Sequence, residues 1–196
     1  MNAPAKAKPV GLLLTALMAV GFILGEVTVV QWRGWPATFD VGDPPVNEAR
    51  AVANLRRIAE AQERYRKTDW DGDGAFTYAQ FPAHLWQAVD AEARPVPTRL
   101  VSKRLAFAMD YTMGLHGYYF YNLYARDSAD AEGDPNPFDP QREWAVIARP
   151  QLYPQCGTRS FIIDQSGRIV AKDMEFGGVS VETYPGPTDG WQIVSE

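Results

Sequence analysis

A chain of 196 residues with a net charge of -5 and a pI near 5.1 carries no basic stripe, which argues against nucleic acid as its partner. Its single cysteine, Cys156, excludes an internal disulfide. Fifteen prolines and sixteen glycines point to long irregular connections, and 12% aromatic residues suit packing or interfaces.

Lys6 and Lys8 make a basic leader, followed by an apolar run over residues 10–30 that one charge, Glu26, interrupts. A run of roughly 20 apolar residues crosses a bilayer as a helix. Trp32 and Trp35 follow it, where an interfacial aromatic belt belongs. The run exceeds the h-region of about 7–15 residues in a secretory signal, and its one small-x-small pattern, Ala19-Val20-Gly21, falls in the middle. The expectation is an uncleaved anchor at 10–32, a cytoplasmic leader at 1–9, a linker at 33–45 and a water-exposed domain at 46–196. Lys6 and Lys8 precede the span and only Arg33 follows closely, which puts the C-terminal domain outside: in a diderm bacterium, an inner-membrane protein with a periplasmic domain. Glu26 either reaches water at the outer interface or meets a partner inside the membrane, where buried charge pairs. Glu26, Trp32 and Trp35 are therefore candidate partner contacts, beside the lipid bilayer itself.

The remaining residues, about 160, suffice for one domain with its own core. Asp43-Pro44 predicts a helix start, and an amphipathic helix runs from there to Lys67. Val52, Leu55, Ile58, Ala59, Gln62 and Tyr65 share one face; the arginines and glutamates take the solvated remainder. Residues 81–89 and 97–109 read as two short helices. Strand formers then dominate residues 117–124, with Tyr118 and Phe120 on one face and Tyr119 and Tyr121 on the other. Residues 127–142 read as a loop, and 144–148 as a second strand. Residues 159–164 and 168–172 form a hairpin around Gln165-Ser166-Gly167. Residues 177–190 are turn-rich, and 191–194 add a last short strand. Helices first and strands afterwards predict an α+β domain with an antiparallel sheet.

The acidic turn Asp69-Trp70-Asp71-Gly72-Asp73-Gly74 matches the first half of a calcium loop, with oxygen ligands at alternating positions and glycine at the sharp turn. Asp69, Asp71 and Asp73 take positions one, three and five, Ala75 offers a backbone carbonyl, and Gln80 stands at position twelve. A glutamine there gives one neutral oxygen in place of a bidentate carboxylate, which weakens affinity. The alternative is an acidic turn that merely ends the helix. No catalytic constellation emerges: His84 and His116 lack metal-ligand spacing, and nothing in the sequence ties either one to Cys156. Tyr119 and Tyr121 are candidates for a partner surface.

Two stretches carry a family resemblance: the helix Asn54-Leu55-Arg56-Arg57-Ile58-Ala59-Glu60-Ala61-Gln62-Glu63-Arg64-Tyr65 with its acidic turn, and the sheet segments Gly117-Tyr118-Tyr119-Phe120, Trp144-Ala145-Val146-Ile147-Ala148-Arg149-Pro150 and Tyr153 to Ile169. They resemble the bacterial domain-of-unknown-function family twenty-nine-fifty and are similar to the globular heads of type IV pilin-like proteins and pseudopilins. The resemblance implies a long helix packed on an antiparallel meander, and it implies no catalytic residues. Gly21-Phe22-Ile23-Leu24-Gly25-Glu26 resembles a prepilin processing signal, but most of the apolar run precedes Gly21. The functional expectation is a non-catalytic, single-pass subunit whose periplasmic pilin-like domain scaffolds a larger secretion, respiratory or photosynthetic membrane complex. A pseudopilin and a calcium-dependent binding module are the alternatives; no cofactor is required, and calcium is the one candidate.

Overall fold

The computed structural model describes residues 29–30, 36–37, 41–129, 135–174, 183–184 and 190–194. The chain divides into two compact units, Met1–Thr38 and Phe39–Glu196. In the first, β1 (Val29–Val30) pairs antiparallel with β2 (Pro36–Ala37). The end of the predicted anchor is thus extended there, while its other residues, together with Glu26, Trp32 and Trp35, lie outside the described residues. Among the described residues no helix is long and apolar enough to cross a membrane.

The second unit begins with α1 (Pro44–Tyr65). Its start is as expected, with proline in the first turn, although the Asp43 side chain makes no capping bond. The helix turns Leu55, Ile58, Ala61 and Tyr65 into the core, with Leu55 and Ile58 fully enclosed. Each such aliphatic side chain contributes about 1.5–3 kcal/mol by leaving water. The same face buries Asn47, Glu48, Asn54 and Gln62, so it is more polar than the apolar pattern suggests. Each of these reaches a partner across the fold or along the helix. Asn47 Nδ2 donates to the Cys156 carbonyl at 3.1 Å, and Glu48 accepts from the Thr158 amide at 3.0 Å and Arg159 Nε at 2.8 Å. The helix ends where the Trp70 indole N–H donates to the Tyr65 carbonyl at 2.9 Å.

The two short helices expected next are mostly replaced by other structure. A single 3-10 turn (Pro82–Leu85) leads into β3 (Gln87–Val89), which pairs with β4 (Pro95–Pro97), and then α2 (Lys103–Ala106) makes one turn. The reason is competition for acceptors. The Leu85 carbonyl takes the Leu100 amide at 2.7 Å, and the Trp86 carbonyl takes those of Thr98 and Arg99, both at 3.1 Å. Carbonyls engaged in this way do not propagate a helix. Ser102 caps α2, and the Ala108 carbonyl is claimed by the Phe120 amide at 2.7 Å.

The core sheet is built from β5 (Tyr118–Leu123), β8 (Ala145–Pro150), β9 (Arg159–Asp164), β10 (Ile169–Asp173) and β12 (Gln192–Ile193), which are neighbours in that order, every pair antiparallel. This is the expected α+β arrangement: a helix on an antiparallel meander of five strands. The region read as a loop contributes β6 (Ala125–Ala129) and β7 (Pro135–Pro137), and β11 (Thr183–Tyr184) from the turn-rich segment pairs parallel with β6. Prolines at both ends of β7 are tolerated because it is an edge strand.

Strand periodicity divides the core in two. Tyr118, Phe120, Val146, Ala148, Phe161 and Ile163 cluster with the apolar residues of α1. Leu123, Ala145, Ile147, Ile162, Val170 and Trp191 form a second buried cluster, with Tyr121, Phe138 and Met174 packed against it. The central strands are therefore covered on both faces, which accounts for their near-continuous apolar runs.

Candidate functional site

The acidic turn leaves α1 and folds through two residues with positive φ, Gly72 at 75° and Gly74 at 85°. That conformation suits glycine because it has no Cβ. The turn draws one oxygen from each of Asp69, Asp71 and Asp73 within 4.8 Å of the others. Backbone amides fix two of the three carboxylates. Asp69 accepts from Gly72 at 2.8 Å and Gly74 at 3.0 Å, and Asp73 accepts from Ala75 at 2.7 Å. Burial opposes ionisation of Asp69, but the Gly74 and Gly72 amides outweigh it and its pKa lies below the usual value. Asp71 is pushed the other way, first by burial and then by its carboxyl neighbour Asp69. The amides thus keep Asp69 ionised, while burial and the neighbouring Asp69 carboxyl favour the proton on Asp71.

Gln80 stands apart from this cluster. Tyr78 and Ala79 are buried before it, the Tyr78 amide donating to the Pro140 carbonyl at 2.8 Å and the Ala79 amide to Gln62 Oε1 at 2.8 Å. The chain past Ala75 runs without helix, and exposed Gln80 lines a small cavity with Asn122, Tyr124, Phe138 and Trp144. The structure thus brings together the first half of the expected loop. Ala75 lies in it, and Gln80 faces elsewhere.

Tyr119 and Tyr121 lie side by side on the edge strand β5, both half-buried, their rings stacked with centroids 5.8 Å apart and planes at 19°. Tyr124, just beyond the strand, is 57% exposed and meets the Phe81 ring edge-on at 6.3 Å. Sequence reading passed over Phe81 as a surface group because it was placed in a helix. It likewise passed over Phe107, Tyr111 and Met113, which stand exposed around the Asp110 turn. The available signal was apolar residues bracketing a turn-forming aspartate.

The histidines do not meet. His84 is half-buried against Phe81, edge-on at 5.2 Å, whereas His116, with a φ of 53°, lies beside the arginines of α1. Cys156 is wholly buried and in no disulfide. Burial holds the His84 pKa below its usual value, and the Asp71 charge opposes this only in part. The unfolded chain therefore takes up its proton first as pH falls, near about 6.5. His84 adds stability above that pH, and this stability is lost below it as pH approaches the folded pKa. Urea unfolding at pH 7.5 and 5.5 should show lower stability at the acid end, and His84→Gln should flatten that difference. An unchanged slope in the variant rules out His84 as its source.

A long helix with a carboxylate turn at its C-terminal end, lying on a five-stranded antiparallel meander, defines the structural class of this α+β domain. Residues 45–192 match the model of the family described as "Protein of unknown function (DUF2950)", and the chain belongs to that family. Neither the curated proteins nor the solved structures contain a match.

Proposed function

We propose that this chain is a non-catalytic, single-pass membrane subunit of a bacterial inner membrane, anchored by residues 10–32, whose periplasmic domain docks on and scaffolds a larger protein complex. The secretion, respiratory and photosynthetic assemblies are the classes in view. The observation that carries the reading is the set of aromatic rings on and just beyond the edge strand: Tyr119 stacked on Tyr121, and, as a separate pair, exposed Tyr124 against Phe81. Aromatic rings with a polar tip are enriched at protein interfaces, since they bury much area while ordering few torsions. The helix-on-meander plan supports a pilin-like head. The pseudopilin form of the proposal predicts a mature N-terminus at Phe22, and a protein starting at Met1 by mass spectrometry ends it.

Gentle solubilisation of native membranes followed by size analysis tests the main reading. The chain should migrate with a larger assembly, and Tyr119→Ala with Tyr124→Ala should release it. A monodisperse monomer at native expression would sink the proposal.

A second reading, calcium binding at the acidic turn, is favoured by the convergence of Asp69, Asp71 and Asp73. Carboxylate oxygens that already accept an amide retain a lone pair for a cation. Calorimetry with calcium should give a saturable signal that Asp71→Asn removes and that weakens as pH falls and Asp71 takes up a proton. No heat at millimolar calcium removes this reading.

A further inference from the structure

Beside α1 lies a cavity of about 520 Å³ that the scaffold reading does not use. Its floor is apolar: Ala61, Leu105 and Leu115 are buried there. Its rim carries Arg57 and Arg64 from α1 and Arg104 from α2, opposed by one carboxylate, Glu60. Arg57 and Arg64 are seven residues apart, two helical turns or about 10 Å, so they stand at opposite ends of one helix face. Arg104 approaches from the neighbouring element. Arg57 is held in place: the side chain of Asn54, itself 2% exposed, accepts from its Nη1 at 2.9 Å. Among the described residues Arg64 and Arg104 make no ion pair, and Glu60 pairs with neither of them. Three guanidiniums thus line one concave, apolar-floored space on a chain whose net charge is -5.

We infer that this cleft binds an organic phosphate, its phosphoryl oxygens held by Arg57, Arg64 and Arg104 and its apolar part on Leu105 and Leu115. Guanidinium presents a planar fork of donors that matches phosphate oxygens two at a time. Three forks from different directions suit a tetrahedral dianion better than a flat carboxylate, which offers two oxygens in one plane. The Ser102 hydroxyl, also on the lining, has a proton to donate while its oxygen accepts from the Leu105 amide at 3.3 Å. A soluble phosphate ester and an anionic lipid headgroup share this chemistry.

Titration of the full-length chain in neutral detergent with phenyl phosphate tests the inference, with inorganic phosphate as the comparison. Phenyl phosphate should bind more tightly than inorganic phosphate, and added salt should weaken both. Arg64→Ala and Arg104→Ala should each weaken binding about tenfold or more, as loss of a charge-assisted hydrogen bond does. Arg56→Ala, on the exposed side of the same helix, should leave it unchanged. Lysine at position 64 or 104 should restore only part of the affinity, since it keeps the charge and loses the fork. Vesicles of phosphatidylcholine with and without phosphatidic acid separate the sources. Extra binding to phosphatidic acid that the same variants lose assigns the anion to a lipid, and phenyl phosphate binding without it assigns a soluble ester. If neither probe binds, or if both alanine variants bind as the native chain does, the inference is overturned.

Discussion

Replacing Gly157 by alanine should lower stability by about 3 kcal/mol. A Cβ at this position falls inside van der Waals contact of the Tyr118 hydroxyl and 2.8 Å from Tyr118 Cζ. Tyr118 has nowhere to retreat. It is fully buried, its hydroxyl donates to the Arg159 carbonyl at 2.8 Å, and its ring meets Phe161 with centroids 6.0 Å apart. Burial raises the pKa of that hydroxyl, which keeps it protonated, and a donor, at neutral pH. Overpacking costs about 1–3 kcal/mol, and loss of the hydrogen bond adds about 1. For a chain of this size the midpoint of thermal unfolding should drop by roughly 6–12 °C. Adding Tyr118→Phe to Gly157→Ala removes the closest atom, so the double variant should be less destabilised than the sum of the two singles. Additivity within about 0.5 kcal/mol would show that the clash is relieved some other way.

The second large effect should come from Gln62→Ala. This side chain, wholly buried, behaves like a short piece of strand. Its Nε2 donates to the Ala79 carbonyl at 3.0 Å, and its Oε1 accepts from the Ala79 amide at 2.8 Å. Truncation leaves a buried N–H without an acceptor and opens a cavity. The carbonyl keeps a weaker partner, Asn122 Nδ2 at 3.4 Å. An orphaned buried backbone group costs about 1–3 kcal/mol, and with the lost packing the total should approach 3–4. Gln62→Leu fills the space without the hydrogen bonds. It should recover only the packing part, and full recovery in denaturant unfolding would refute the hydrogen-bond account. Because the bond ties α1 to the segment after the acidic turn, amide exchange at Ala79 should accelerate in both variants well before global unfolding.

Much of the architecture was readable because it depends on local chemistry. Asp43-Pro44 marks a helix start whatever lies around it, and the hairpin joining β9 to β10 follows from Asp164-Gln165-Ser166-Gly167. There the Ser166 amide donates to Asp164 Oδ1 at 2.8 Å, and Gly167 takes a positive φ. Alternation in β5 separated Tyr118 and Phe120 from Tyr119 and Tyr121, and the first half of the acidic turn closes by its own amides. The failures have a common cause. Residues 81–109 hold helix-forming patterns, yet Leu85 and Trp86 give their carbonyls to residues 98–101, a choice visible only once both segments are in place. Gln80 has the spacing of a calcium ligand and faces another cavity, because Gln62 holds Ala79 seventeen positions away.

The arginines of α1 show the same division. Their sequence spacing gives a charged helix face and nothing more. Only the placement of Arg104 and the apolar floor beneath it makes that face one wall of a cleft. The sequence by itself determined the long helix, the strands of the five-stranded sheet, the acidic turn and the family, because periodicity, turn chemistry and motif spacing act over a few residues. The tertiary structure decided which carbonyls were already taken, which polar side chains were buried with partners, and which charges from different elements face a common space. Those outcomes depend on contacts between residues far apart in the chain, which no local pattern encodes.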